Sequence, residues 1–206
     1  LNGLTDGNDG VFQEEQLYIR PKGSSDTLNV QLDADILWRY DMRDELGVFP
    51  HNVTSSSALI LGDRLFVATS NGVDWSHINI PSPLSPSWIA LDKNTGELIG
   101  EDGSGASEEA LHAAWSSLTY GNLEGKDYLY WGGTDGYLYA YANETKQNEE
   151  GFDLFNPIWK IDCNEPHYRV DKEGRKIPYA TPPGPSELIA PPVLYGNKIS
   201  KGTCTS

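Results

Sequence analysis

The chain has 206 residues, of which 38% are hydrophobic and 11% aromatic, and a formal net charge of −15. That content suffices for a core, while the negative charge repels phosphate backbones and leaves no basic stripe to follow one, so nucleic acid is excluded as a partner. No apolar run approaches the ~18 to 20 residues that span a bilayer, so no transmembrane segment is expected.

The sequence begins at Leu1 with neither Met nor a signal-peptide pattern, which implies a removed leader or a piece of a longer protein. Residues 1–35 are polar and turn-rich and read as an N-terminal segment or connector. Asp6 to Gly10 lacks the Gly and Glu spacing of a calcium loop and reads as a turn. Residues 36–206 carry strand patterns. Ile36, Trp38, Tyr40 and Met42 alternate with Leu37, Arg39 and Asp41, which predicts a half-buried strand. Residues 158–163 repeat it, with Trp159 and Asp162 at the spacing of Trp38 and Asp41.

From Ala58 the pattern runs strand, Gly62-Asp63 turn, strand, Asn71-Gly72 turn. Residues 118–141 give the same order with a turn at Thr134, Asp135 and Gly136, and residues 193–199 open a third copy. Between the first two copies, a short alternating strand through Trp88 and Ala90 enters a turn carrying Asp92, Thr95 and Gly96. Asp and Thr suit turn amides and Gly accepts positive φ. The recurring unit is four antiparallel strands, and the fold class is all-β.

In such a unit, connections alternate between two ends. Those at one end are short, with residues 143–157 as the exception. Those at the other, residues 43–55, 73–86, 101–116 and 164–190, are long, and long loops on a rigid scaffold are where function sits. All four histidines fall there: His51, His77, His112 and His167. So do Asn52, Asp74, Trp75, Trp115, Arg169 and Glu187. His51 and His112 each precede a pair of serines at the same spacing, which places them on a common face. The candidate ligand-binding residues are therefore His51, Asn52, Asp74, Trp75, His77, His112, Trp115 and His167. Neutral histidine serves both structural hydrogen bonds and metals, so a packed loop cluster and a metal or anion site are both open readings.

No serine stands in a nucleophile elbow, and the hydroxyls of Ser56, Ser57, Ser116 and Ser117 read as ties at strand entries. Cys163 and Cys204 lack ligand-spaced partners and read as lone thiols.

Ala90, Asp92, Thr95 and Gly96 form A-x-D-x-x-T-G, which resembles the repeat signature of PQQ-like, quinoprotein-type β-propellers, in the secreted planctomycete-type PQQ-binding-like group. The resemblance covers residues 36–199, with departures at Gly100, Ala142 and Lys146. It implies a β-propeller of four-stranded antiparallel blades, here about two and a half blades of a larger ring completed by the same or another chain. It also implies that Trp38 and Trp159 dock on neighbouring blades, and a periplasmic or extracellular location.

PQQ and calcium come with the family name only. The chain has no vicinal cysteines and no matching calcium set, so no catalytic residue is carried over. The expectation is a binding or scaffold protein without a catalytic site, taking a protein, glycan or small-molecule ligand on its long loops. The alternatives are a PQQ and calcium-dependent oxidoreductase, and a metal or haem carrier using the histidines; no C-x-x-C-H haem motif is present.

Overall fold

The computed structural model describes residues 36–52, 56–179, 183–196 and 198–200; the expected N-terminal connector over residues 1–35 and Cys204 lie outside them. Among the described residues the architecture is all-β, with antiparallel sheets and only single-turn helices. Strands β1 (Leu59–Leu61), β2 (Arg64–Ala68), β3 (Trp88–Asp92) and β4 (Leu98–Asp102) form one antiparallel meander. A second is built from β5 (Thr119–Leu123), β6 (Lys126–Gly132), β7 (Tyr137–Ala142) and β10 (Pro157–Asp162). A hairpin follows, β11 (Val193–Tyr195) with β12 (Lys198–Ser200). Both β1 and β11 lie against β5, so the first strands of the three sheets are neighbours.

The core lies between the two meanders. Phe66, Trp88 and Ala90 of the first face Leu129, Trp131, Tyr139 and Tyr141 of the second, all fully or almost fully buried. Trp88 meets Tyr141 edge to face with ring centroids 5.0 Å apart, a favoured aromatic geometry. Ala90 is small where the sheets approach. Each large apolar side chain removed from water contributes about 1.5–3 kcal/mol.

The turns follow from local chemistry. Asp92 Oδ1 accepts from the Asn94 and Thr95 amides at 2.7 and 3.0 Å, and Gly96 takes φ +77. A Cβ on Gly96 would also stand 2.6 Å from the indole of Trp38, whose Nε1 donates to the Lys93 carbonyl at 3.0 Å. Trp38 thus rests on the turn of the signature. At the matching turn of the second sheet, Gly136 takes φ +83 and Asp135 Oδ2 accepts from Tyr139 Oη at 2.6 Å. Trp159 lies on β10, the outer strand of its sheet, 37% exposed beside Tyr130.

Two local expectations are corrected, and the exceptional connection takes a form of its own. Residues 36–42 are not a strand: Asp41 accepts from the Arg43 and Asp44 amides and caps helix α1 (Met42–Leu46), which Gly47 ends in the left-handed conformation. The N-cap carboxylate wins over the alternating pattern. Asn71-Gly72 is not a hairpin turn but a buried junction, described below. The long exception at residues 143–157 forms a hairpin, β8 (Lys146–Gln147) with β9 (Asp153–Phe155), and β9 pairs in parallel with β4. It extends the first sheet to six strands and covers the edge that β4 would otherwise present. No helix among the described residues is long and apolar enough to cross a membrane.

Candidate metal centre

The loops at the long-connection end are tied together through Asn71 and Gly72. Pro50 bridges Asn71, and Gly72 bridges Ala113. The backbone bonds His51 N to Ser70 O, Gly72 N to Phe49 O, Val73 N to His112 O and Ala114 N to Asn71 O run from 2.8 to 3.2 Å. Segments 49–51, 70–73 and 112–114 thus make one floor, drawn from before β1, after β2 and before β5. The side chain of Asn71, itself fully buried, accepts from the Phe49 amide and donates to the Ser82 carbonyl and Ser107 Oγ. Position 72 must be glycine, because a Cβ there would meet the His112 carbonyl oxygen at 2.2 Å.

His51, His77 and His112 converge on this floor. Their ring centroids lie 4.8, 4.5 and 5.0 Å apart for the pairs 51–77, 51–112 and 77–112. One ring nitrogen from each lies within 4.8 Å of the others. His51 is buried, His112 half-buried and His77 exposed.

Nδ1 is engaged on two of the three rings. His51 Nδ1 lies 2.8 Å from the Val73 carbonyl oxygen, which can only accept, so Nδ1 carries the hydrogen and Nε2 keeps its lone pair. His112 Nδ1 lies 3.1 Å from Glu187 Oε1 and 2.8 Å from Tyr179 Oη. A carboxylate that is 2% exposed faces this nitrogen, which fixes the same tautomer. His112 Nε2 is then the free nitrogen, and it is buried with no hydrogen-bond partner. Leaving such a group unpaired costs about 1–3 kcal/mol. A backbone carbonyl behind one imidazole and a carboxylate behind another is the outer-shell arrangement of metal-ligating histidines.

His77 comes from a self-braced loop. Asp74 Oδ1 accepts from the Ser76 amide at 3.0 Å and from its hydroxyl, and Oδ2 accepts from Asn79 Nδ2 at 2.7 Å. These bonds hold the Asp74 carboxyl well below the usual range. His77 sits at φ 58, in the left-handed region that histidine enters more readily than most residues. Burial lowers the pKa of His51, and the neighbouring imidazoles of His112 and His77 lower it further, so His51 is kept neutral. Neutral imidazole is the metal-binding form.

Aromatics wall the trio. Trp115 packs 4.5 Å from the His112 ring and is anchored by Nε1 donation to Ser70 Oγ at 2.9 Å. Trp75 lies 5.4 Å from the His51 ring and is 68% exposed. The structure therefore brings together His51, Asp74, Trp75, His77, His112 and Trp115. Asn52 follows His51 in the chain, exposed at φ 58. His167 stands apart on helix α2 (Pro166–Arg169), its ring tilted 41° against that of Tyr168 and facing Glu165 at 3.3 Å. Arg169 is engaged with Asp162 through two bonds of 2.6 and 2.9 Å.

No family model matches this sequence, nor does any curated protein.

Two contributors carried no specific signal in the sequence. Glu187 is named only as one of the long-loop residues, and Tyr179 lies in the same 164–190 connection, just ahead of the run Pro182, Pro183 and Pro185. Neither has a local pattern that points to His112. The bonds between Asn164 and Ser186, with Leu188 N donating to the Gly133 carbonyl, bring Glu187 to its place.

The serine hydroxyls tie strand entries. Ser117 Oγ accepts from the Ser57 amide at 2.7 Å, and Ser116 Oγ donates to the Ala190 carbonyl at 3.2 Å.

Proposed function

We propose that this chain is a metal-binding protein, holding one zinc or copper(II) ion through His51, His77 and His112 at the loop-rich end of a β-propeller-type array. The observation that carries the reading is the buried, unpartnered Nε2 of His112, opposite a nitrogen already bonded to Glu187 and Tyr179. Imidazole donors suit zinc and copper. A tetrahedral ion at roughly 2.0–2.1 Å from each nitrogen sets the nitrogens about 3.4 Å apart, so the trio needs only a small closure, and the exposed His77 is free to supply it.

The propeller reading is supported by the two four-stranded meanders with adjacent first strands. The remaining blades, from this or another chain, and a periplasmic or extracellular location, belong to the same proposal. Trp88 Nε1 and Thr134 Oγ1 are also buried without a partner, so the reading rests on the convergence of the three imidazoles around His112 Nε2 and not on its burial alone.

The PQQ and calcium alternative has no matching donors here. Calcium takes 6–8 oxygen ligands, the trio offers nitrogen, and the Asp74 carboxylate is consumed by its own loop.

Titration of the purified protein with Zn²⁺ against a chromophoric chelator tests the reading. One equivalent should bind, and His77→Ala, a substitution at an exposed side chain, should abolish tight binding without changing thermal stability. Equal binding by the variant would overturn the assignment.

A further inference from the structure

We infer that the metal at this site keeps one coordination position for an exogenous monodentate anion, hydroxide when no other is present, and this rests on the three-histidine reading above. Three imidazoles leave a four-coordinate ion one ligand short. Neither nearby carboxylate belongs to the ligand set. Asp74 is turned into its own loop, with Oδ1 and Oδ2 bonded to Ser76 and Asn79. Glu187 stands at the Nδ1 edge of the His112 ring, away from the coordinating nitrogen, and Tyr179 Oη is at that same edge. Among the described residues no fourth histidine, cysteine or acidic residue joins the set.

The site also has an entrance. His51 and His112 form its buried and half-buried wall, whereas His77 is exposed and Trp75 beside it is 68% exposed. A ligand therefore approaches from the side of the 74–79 loop. Neutral imidazoles contribute no charge, so a divalent ion keeps its full +2, unlike an ion held by thiolates. At contact distance that +2 favours an anion over a neutral donor, against the weaker, screened repulsion of a chain of net charge −15. Water coordinated to such an ion would be acidified toward neutral pH, its proton passing to the buffer, so that hydroxide could serve as the ligand in water. An ion held this way has the open position of catalytic zinc sites, and not the closed shell of structural ones.

Cobalt(II) in place of the native ion, followed by visible absorption, tests this with sodium azide as the probe. The expected result is one equivalent of bound cobalt with visible d–d bands, then a saturable shift of those bands as one azide binds per cobalt. Cobalt should stay with the protein on dialysis. His77→Ala should lose the cobalt spectrum. Cobalt bands that do not move at saturating azide would overturn the open position while leaving the three-histidine site standing. Cobalt stripped by azide would overturn it too. Failure of cobalt and of Zn²⁺ alike to bind would overturn the metal reading itself, and this inference with it.

Discussion

Glu187→Gln is the most informative single substitution, because it keeps the volume of a side chain that is 2% exposed and removes only its charge. Glu187 Oε1 accepts from His112 Nδ1 at 3.1 Å, and Tyr179 Oη, 2.8 Å from the same nitrogen, donates to that oxygen at 3.4 Å. The carboxylate thereby holds the hydrogen on Nδ1 and leaves the Nε2 lone pair for a ligand. A glutamine amide oxygen accepts more weakly, and the amide nitrogen, if turned toward the ring, favours the tautomer that cannot bind a metal through Nε2. Loss of such an outer-shell partner weakens metal affinity about 10–100-fold, equivalent to roughly 1.4–2.7 kcal/mol. Competition of wild type and variant for Zn²⁺ against a chromophoric chelator measures the change. A parallel urea titration at fixed chelator checks that the fold is intact. Affinities equal within twofold, with unchanged stability, would refute the assignment of Glu187 and the tautomer argument behind it.

Two further outcomes test the fold. Phe155 on β9 is fully buried against Phe66 and Trp88, with centroids 5.8 and 5.2 Å away, so Phe155→Ala should destabilise the protein by about 3–5 kcal/mol in urea unfolding. A loss below about 1 kcal/mol would mean that the β8–β9 hairpin is not part of the core. Burial pushes the Asp102 carboxyl up to about 6, despite bonds from Ser104 and Tyr141. The folded state then holds a proton that the unfolded chain releases near pH 4, so stability is lost as pH rises from about 4 to about 6, by roughly 3 kcal/mol in all. Asp102→Asn should remove that fall, making the variant progressively more stable relative to wild type across the window; parallel pH profiles of the two would contradict it.

Turn chemistry was the legible part of the sequence. Asp92, Thr95 and Gly96, and Asp135 with Gly136, act within a few residues of themselves, so residue type alone announces the bend. Pairing between distant segments was not legible. The alternation of residues 36–42 is compatible with a strand, and only the capping by Asp41 decides for helix. Residues 143–157 gave no hint that β9 would join the neighbouring sheet, because parallel pairing with β4 depends on where that edge lies in space. The same division holds at the site. Loop length and the shared spacing draw attention to His51 and His112, and the long connection over residues 73–86 to His77. Their support by the Val73 carbonyl and Glu187 arises only when the floor around Asn71 is assembled. His167 met the same sequence criteria and lies elsewhere, since an α2 turn carries it onto Tyr168.

X-ray absorption at the zinc edge of protein loaded with one equivalent of Zn²⁺ tests the central claim most directly. Three imidazoles predict a first shell dominated by nitrogen at roughly 2.0–2.1 Å, with the outer-shell scattering of three rigid rings and one lighter ligand beside them. A shell of oxygens alone, with no imidazole scattering, would contradict it.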